Sequence, residues 1–226
     1  MVKVKLVTDV LKANDALAET NRRLFAERAI LVVNLVSSPG SGKTAILERT
    51  LLDLTGDLEM AVIEGDIYTS RDAERIEQTG VPVVQINTGG GCHLDASMIQ
   101  RGLQTLTEEV DIDRLQLLFV ENVGNLVCPA GFDLGEDFKV TVLSTTEGDD
   151  KPAKYPAMFK KSGAVLVNKI DLLDALGVSL EAIDRELAEV APQAEIMHVS
   201  AKTGEGFGSW TRWLKSEVAR KEGGAP

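Results

Sequence analysis

Ser37-Ser38-Pro39-Gly40-Ser41-Gly42-Lys43-Thr44 places two glycines, a lysine and a hydroxyl within one short loop. This is the composition needed to wrap phosphate. Glycines let the backbone curl, and a helix starting beyond them presents free N–H groups and the positive end of its dipole. Lys43 is suited to hold β- and γ-phosphates, Pro39, Gly40, Ser41 and Gly42 to form the cradle, and Thr44 to ligate Mg2+. The apolar run Ile30–Val36 precedes the loop, and Leu47, Leu51 and Leu52 mark a helical face after it. Strand, loop and helix therefore stand in the order that phosphate chemistry requires. Ser37 occupies the place where the usual pattern has its first glycine, a variation in loop shape.

Asn168-Lys169-Ile170-Asp171 ends another apolar run and resembles the NKxD guanine-specificity motif. A carboxylate at Asp171 can accept from both the ring N–H and the exocyclic amine of guanine, whereas adenine has neither donor there. A site built on such paired bonds rejects the wrong base by roughly 10⁴-fold, because its buried acceptor is left unpaired. Ser200-Ala201-Lys202 follows the last apolar run and resembles the SAK motif, which contacts guanine O6 through backbone N–H groups. The three motifs occur in the order found in GTPases, which disfavours an ATP-dependent P-loop kinase.

Two acidic segments complete the expected nucleotide site. Glu64-Gly65-Asp66 follows the second predicted strand, and Asp66 is the switch I group expected to reach Mg2+ or its waters. Glu121-Asn122-Val123-Gly124 resembles a DxxG switch II with glutamate for aspartate. Gly124 is then the N–H donor to the γ-phosphate, and Glu121 holds the metal through water. No glutamine or histidine is placed to orient the attacking water. Slow intrinsic hydrolysis is expected, driven by Mg2+, Lys43 and backbone donors.

The sequence holds two cysteines and two histidines. Cys92 and His93 lie together in Thr88-Gly89-Gly90-Gly91-Cys92-His93-Leu94-Asp95-Ala96, and Cys128 lies shortly after Glu121. Both segments are expected to leave the same sheet edge, so two thiols and an imidazole can converge as ligands suited to Ni2+ or Zn2+. Three donors per chain are fewer than a closed tetrahedral site needs, and a symmetric homodimer sharing the ion is the simplest completion. His198, inside a predicted strand, is read as structural.

These residues need a scaffold that brings many strand ends to one place. Seven candidate strands, Ile30–Val36, Met60–Ile63, Val81–Ile86, Leu115–Glu121, Phe138–Leu143, Ala164–Asn168 and Ala194–Val199, alternate with helical stretches. Several are continuously apolar, as strands buried on both faces are, which predicts an α/β fold: an open, mostly parallel sheet flanked by helices, with ligands at the strand carboxyl ends. Val10, Leu11, Leu17, Ala18, Leu24 and Phe25 form pairs seven residues apart. They predict an amphipathic N-terminal helix, within a 1–28 extension docked on a single domain spanning 1–226.

The formal net charge of -11 would repel nucleic acid and acidic lipid headgroups. The longest apolar run is too short to cross a bilayer, and no signal-peptide pattern opens the sequence. A cytoplasmic protein is expected.

Taken together, SSPGSGKT (37–44), EGD (64–66), TGGGCHLDA (88–96), ENVGNLVCP (121–129), TEGDDKPAKYPAMF (146–159), NKID (168–171) and SAKTGEG (200–206) resemble the HypB family of hydrogenase-maturation GTPases, from about residue 10 onward. The resemblance implies a SIMIBI-class G domain binding GTP/GDP and Mg2+, and a homodimer promoted by GTP and metal. It also implies a nickel or zinc site at Cys92, His93 and Cys128. A HypA-like nickel chaperone and a hydrogenase large subunit are the implied partners. The N-terminal cysteine motif and histidine-rich stretch of some family members do not occur in these residues, so only the G-domain metal site carries over. The related urease-maturation GTPases pair a similar loop with a Cys-Pro-His motif, whereas here Cys92 is followed directly by His93. The other alternative is a GTP-dependent dimerisation switch with a purely structural zinc.

Overall fold

The computed structural model describes residues 3–67 and 70–224. The elements run α1 (Lys3–Glu27), β1 (Leu31–Ser37), α2 (Lys43–Leu54), β2 (Met60–Asp66), α3 (Arg71–Glu77), β3 (Val83–Asn87), α4 (Ala96–Leu106), β4 (Leu117–Glu121), β5 (Phe138–Ser144), α5 (Lys151–Lys154), α6 (Pro156–Phe159), β6 (Ser162–Asn168), α7 (Leu173–Leu176), α8 (Leu180–Val190), β7 (Glu195–His198) and α9 (Phe207–Glu222). All seven expected strands are present. They form one sheet in the order β3-β2-β4-β1-β5-β6-β7, and every pairing is parallel. Parallel strands need crossover connections, so helices cover both faces and the strands carry Val, Ile and Leu on both.

Alternation along β1 divides the core. Leu31, Val33 and Leu35 pack with Ile46, Leu47 and Leu51 of α2 and with Trp210 and Leu214 of α9. Ile30 and Val32 face the other way, joining Phe25 of α1 and Ile99 and Leu103 of α4. Val36, on that same side, packs with Phe159 and with Ile183 and Leu187 of α8. Between these two apolar groups lies buried Asn34, whose Nδ2 donates to Glu136 Oε1 at 3.1 Å. Glu136 is in turn paired with Lys139.

Three expectations shift in detail. β2 continues through Glu64, Gly65 and Asp66 rather than ending before them, because Glu64 is paired with both β3 and β4 and the next two residues with β3. In α2 the inward face is Ile46, Leu47, Leu51 and Leu54, while Leu52 is 55% exposed. In α1, Ala18 and Phe25 are buried but Val10 is 53% exposed. A straight helix drifts about 20° per heptad, so a strict seven-residue stripe does not stay on one contact line. Among the described residues, no helix is long and apolar enough to cross a membrane.

Candidate functional site

Because every strand runs the same way, the carboxyl ends of β1, β2, β4 and β6 open on a common rim. β1 passes into the loop 37–42, and Gly42 caps α2 at φ 93°. A Cβ at Gly42 would stand 2.5 Å from Asn168 Nδ2, so both the backbone conformation and the close approach require glycine. Lys43 Nζ and Thr44 Oγ1 donate to one oxygen, Glu121 Oε1, at 2.8 and 2.6 Å. A cavity of about 390 Å³ lies above them, with Asp66 and Gly124 in its lining.

The acidic side of this cavity has a feature the motifs did not predict. Glu64 is buried beside Glu121 and Asp66. Burial first, and the charges of those two carboxylates next, push its carboxyl up to about 8. Glu64 Oε2 and Glu121 Oε2 are buried with no hydrogen-bond partner among the described residues. Two orphaned carboxylate oxygens next to Thr44 suit a hard divalent cation such as Mg2+. Asp66 is turned partly toward its own chain, its Oδ1 accepting the Ile67 N–H at 2.7 Å.

A second unforeseen brace holds the loop itself. Glu147 Oε1 accepts from Ser41 Oγ at 2.5 Å and from Ser144 N–H at 3.1 Å. Lys151, one helical turn on, pairs with Glu147 and donates to Ser38 Oγ at 3.2 Å. An acid and a lysine at i and i+4 within TEGDDKP were the available signal, but their partners lie far away in sequence.

Asn168 ties three motifs together. Its Nδ2 donates to Ser41 O at 2.9 Å, while its Oδ1 accepts the Ala201 N–H at 3.1 Å. Lys169 adopts the left-handed conformation at φ 65°, with Nζ donating to Gly40 O at 2.7 Å. Asp171 Oδ1 accepts from Ser200 Oγ at 2.6 Å, which fixes the carboxylate plane. Asp171, Lys169, Ala201 and Lys202 line a cavity of about 440 Å³ together with Gly42 and Arg49, in a position to receive a base.

The soft donors also meet. Cys92 Sγ lies 2.8 Å from Cys128 Sγ and 3.5 Å from His93 Nδ1, and one ligand atom from each of the three lies within 4.8 Å of the others. Both cysteines are free thiols. The contact with Cys128, then burial, raises the Cys92 thiol above its ordinary value. Burial lowers His93 against the opposing pull of Asp95, which favours the neutral, ligating imidazole. Its ring packs on Phe132 at 3.9 Å between centroids. Two thiols and an imidazole fit Ni2+ or Zn2+ in donor chemistry. His198 stands apart on β7, bonded to Asp184 at 2.7 Å.

An all-parallel sheet with the SSPGSGKT loop after β1 and the NKID and SAK segments after β6 and β7 defines a P-loop nucleotide-binding domain of the SIMIBI type. Residues 31–198 match the family described as CobW/HypB/UreG, nucleotide-binding domain. Hydrogenase maturation factor HypB of Escherichia coli (strain K12) is 52% identical over 217 residues, covering 96% of this chain and 73% of the relative. HypB from Helicobacter pylori in complex with nickel has a TM-score of 0.87 at 36% identity, covering 92% of this chain and 96% of that one. HypB from Archaeoglobus fulgidus gives 0.84 at 36% identity, covering 92% and 99%. The chain belongs to the HypB family of hydrogenase maturation factors.

Proposed function

We propose that this chain is a GTP-hydrolysing metallochaperone that helps insert nickel into [NiFe]-hydrogenase, with nucleotide state governing a nickel or zinc site at a homodimer interface. The convergence of Cys92, His93 and Cys128 within 4.8 Å carries this reading, and the nickel complex of the Helicobacter pylori relative supports it. Three donors leave coordination positions open, as transferable cargo needs. Val127, beside Cys128, is 64% exposed, an apolar surface next to the site that a second copy would cover.

The nucleotide half rests on the same geometry. Asp171 and the Ser200–Lys202 segment read guanine. Lys43, Gly40, Ser41 and Gly42 hold the phosphates, with Pro39 shaping the loop. Thr44, Asp66 and Glu121 would hold Mg2+, the carboxylates through water, and Mg2+ supplies charge neutralisation on the transferring phosphate. Lys43 and Thr44 then exchange their Glu121 contacts for phosphate and metal, and Glu121 and Gly124 move with that exchange. With no side chain assigned to orient water, turnover is slow. A HypA-like nickel chaperone and the hydrogenase large subunit are the proposed partners.

Sedimentation of the full chain with and without Ni2+ and a non-hydrolysable GTP analogue, with metal measured in each species, tests the reading. Dimers carrying nickel, lost in Cys128→Ala, are expected. A monomer under all conditions, or nickel retained by Cys128→Ala, overturns it.

A further inference from the structure

The metal donors do not sit on neighbouring strands. Cys92 and His93 follow β3 and Cys128 follows β4, with β2 between them. At about 4.8 Å per strand the two loop origins are roughly 10 Å apart, yet the sulfurs lie 2.8 Å from one another. The sheet alone does not set that spacing, so the two loops must be held where they lean together.

Two sets of side chains hold them. On the nucleotide side, Asn122 Oδ1 accepts the Leu94 N–H at 3.0 Å and Asn125 Nδ2 donates to Cys92 O at 3.2 Å. Asn122 belongs to the segment expected to move with nucleotide, and Asn125 directly follows it. On the opposite side stands α1. Asn14 Oδ1 accepts the Ala96 N–H at 2.9 Å while its Nδ2 donates to Asp133 O at 2.8 Å. Asn21 Nδ2 donates to Ala96 O at 3.0 Å and to Leu134 O at 2.9 Å. Arg22 Nη2 grips both oxygens of Asp133 at 2.8 and 2.7 Å. Ala96 closes the segment that begins at Cys92, and Asp133 follows Phe132, the ring that packs on His93.

Asn14 and Asn21 are 6% and 2% exposed. Leucines of similar size would fill this interface but take these partners from the Ala96 N–H and from the carbonyls of Ala96, Asp133 and Leu134; carboxamides satisfy them and add direction, binding one helix to two separate loops. Building on the metal reading above, we infer that α1 is a fixed brace for the metal site, with Asn14, Asn21 and Arg22 as positioning residues that set Cys92 and His93 against Cys128. Switch II supplies the movable half of the hold and α1 the stationary half, so disturbing α1 alters the metal site in every nucleotide state.

The test titrates the full chain with Co2+ and Ni2+, reading affinity and the thiolate-to-metal absorption band, with GDP and with a GTP analogue. GDP affinity is measured alongside. Asn21→Leu and Asn14→Leu are expected to weaken metal binding by about 10- to 100-fold and to shift the band equally with both nucleotides, leaving GDP affinity unchanged. Folded variants with wild-type affinity and band overturn the brace. Should the leucine variants not fold, Arg22→Gln at the half-exposed ion pair decides, with a several-fold loss expected and an unchanged band overturning the inference. Cys92→Ala separates the two readings: if it binds these metals as the wild type does, the donor assignment itself fails.

Discussion

Asn122 Oδ1 accepts the backbone N–H of Leu94 at 3.0 Å, joining the residue after Glu121 to the segment that carries Cys92 and His93. Asn122 also donates to Asn34 Oδ1 at 3.2 Å, and so ties both loops to the central strand. In the proposed function a rearrangement at Glu121 would reach the thiols chiefly through this buried carboxamide, and linkage would make the effect reciprocal. Asn122→Ala should bring the ratio of nickel affinities with GDP and with a GTP analogue close to one, from a coupling of about 5- to 150-fold typical of linked sites. Equal coupling in variant and wild type would exclude this route. Taking these partners from the Leu94 N–H and from Asn34 Oδ1 should also cost about 1–3 kcal/mol, lowering Tm by several degrees.

Asp171→Asn replaces one acceptor by a donor in the cavity proposed to receive the base, while Ser200 still orients the group. Guanine nucleotide affinity should fall by about 10²- to 10⁴-fold, with xanthine nucleotides gaining what guanine loses. Competition binding with GTP, XTP and ATP measures it; an unchanged ranking would detach Asp171 from base reading.

Gly135 lies against α1 at φ 90°, where a Cβ would stand 2.6 Å from Ala18 O and 2.8 Å from Arg22 N. These are backbone atoms that cannot swing aside. Gly135→Ala should therefore displace the helix, costing about 1–3 kcal/mol by overpacking. Limited proteolysis should then cut ahead of Ile30 faster than in the wild type, and equal cleavage rates would argue against the displacement.

Asp133 is drawn two ways: partial burial raises its carboxyl, but Arg22 and the Gly135 N–H outweigh it and hold the group below the usual carboxylate range. A depressed folded value contributes stability above the unfolded value of about 3.9 and loses it as pH falls through the folded one. Protection of α1 amides from hydrogen exchange should decline through that acidic window. Asp133→Asn should show weaker protection near neutrality and a flatter response, and a profile identical to the wild type would remove the ion pair from the account.

Sequence pattern made the strands legible because each is a short apolar run buried on both faces, and it brought the SSPGSGKT, NKID, SAK and sulfur-bearing segments to one rim because each follows a strand. What it concealed were polar groups whose partners are remote. Asn14 and Asn21 fall outside the apolar pairs that predicted α1, yet both are buried against loops beyond residue 95. Glu64 read as the start of a loop because charge normally ends a strand, whereas pairing on both sides carries β2 through it. Val10 fitted the seven-residue spacing and is exposed. Spacing records one helix face, not the outline of the surface that receives it.

A sheet whose strands all point one way has a chemically quiet side. The turns around 55–59, 78–82 and 107–110 lie at the far ends of the strands, and Glu108 there is exposed. A short peptide inserted after Glu108 gives a handle for tethering the molecule to a surface. Both proposed ligand mouths would then face the flowing solution, so that nucleotide and metal exchange could be timed on a single captured population.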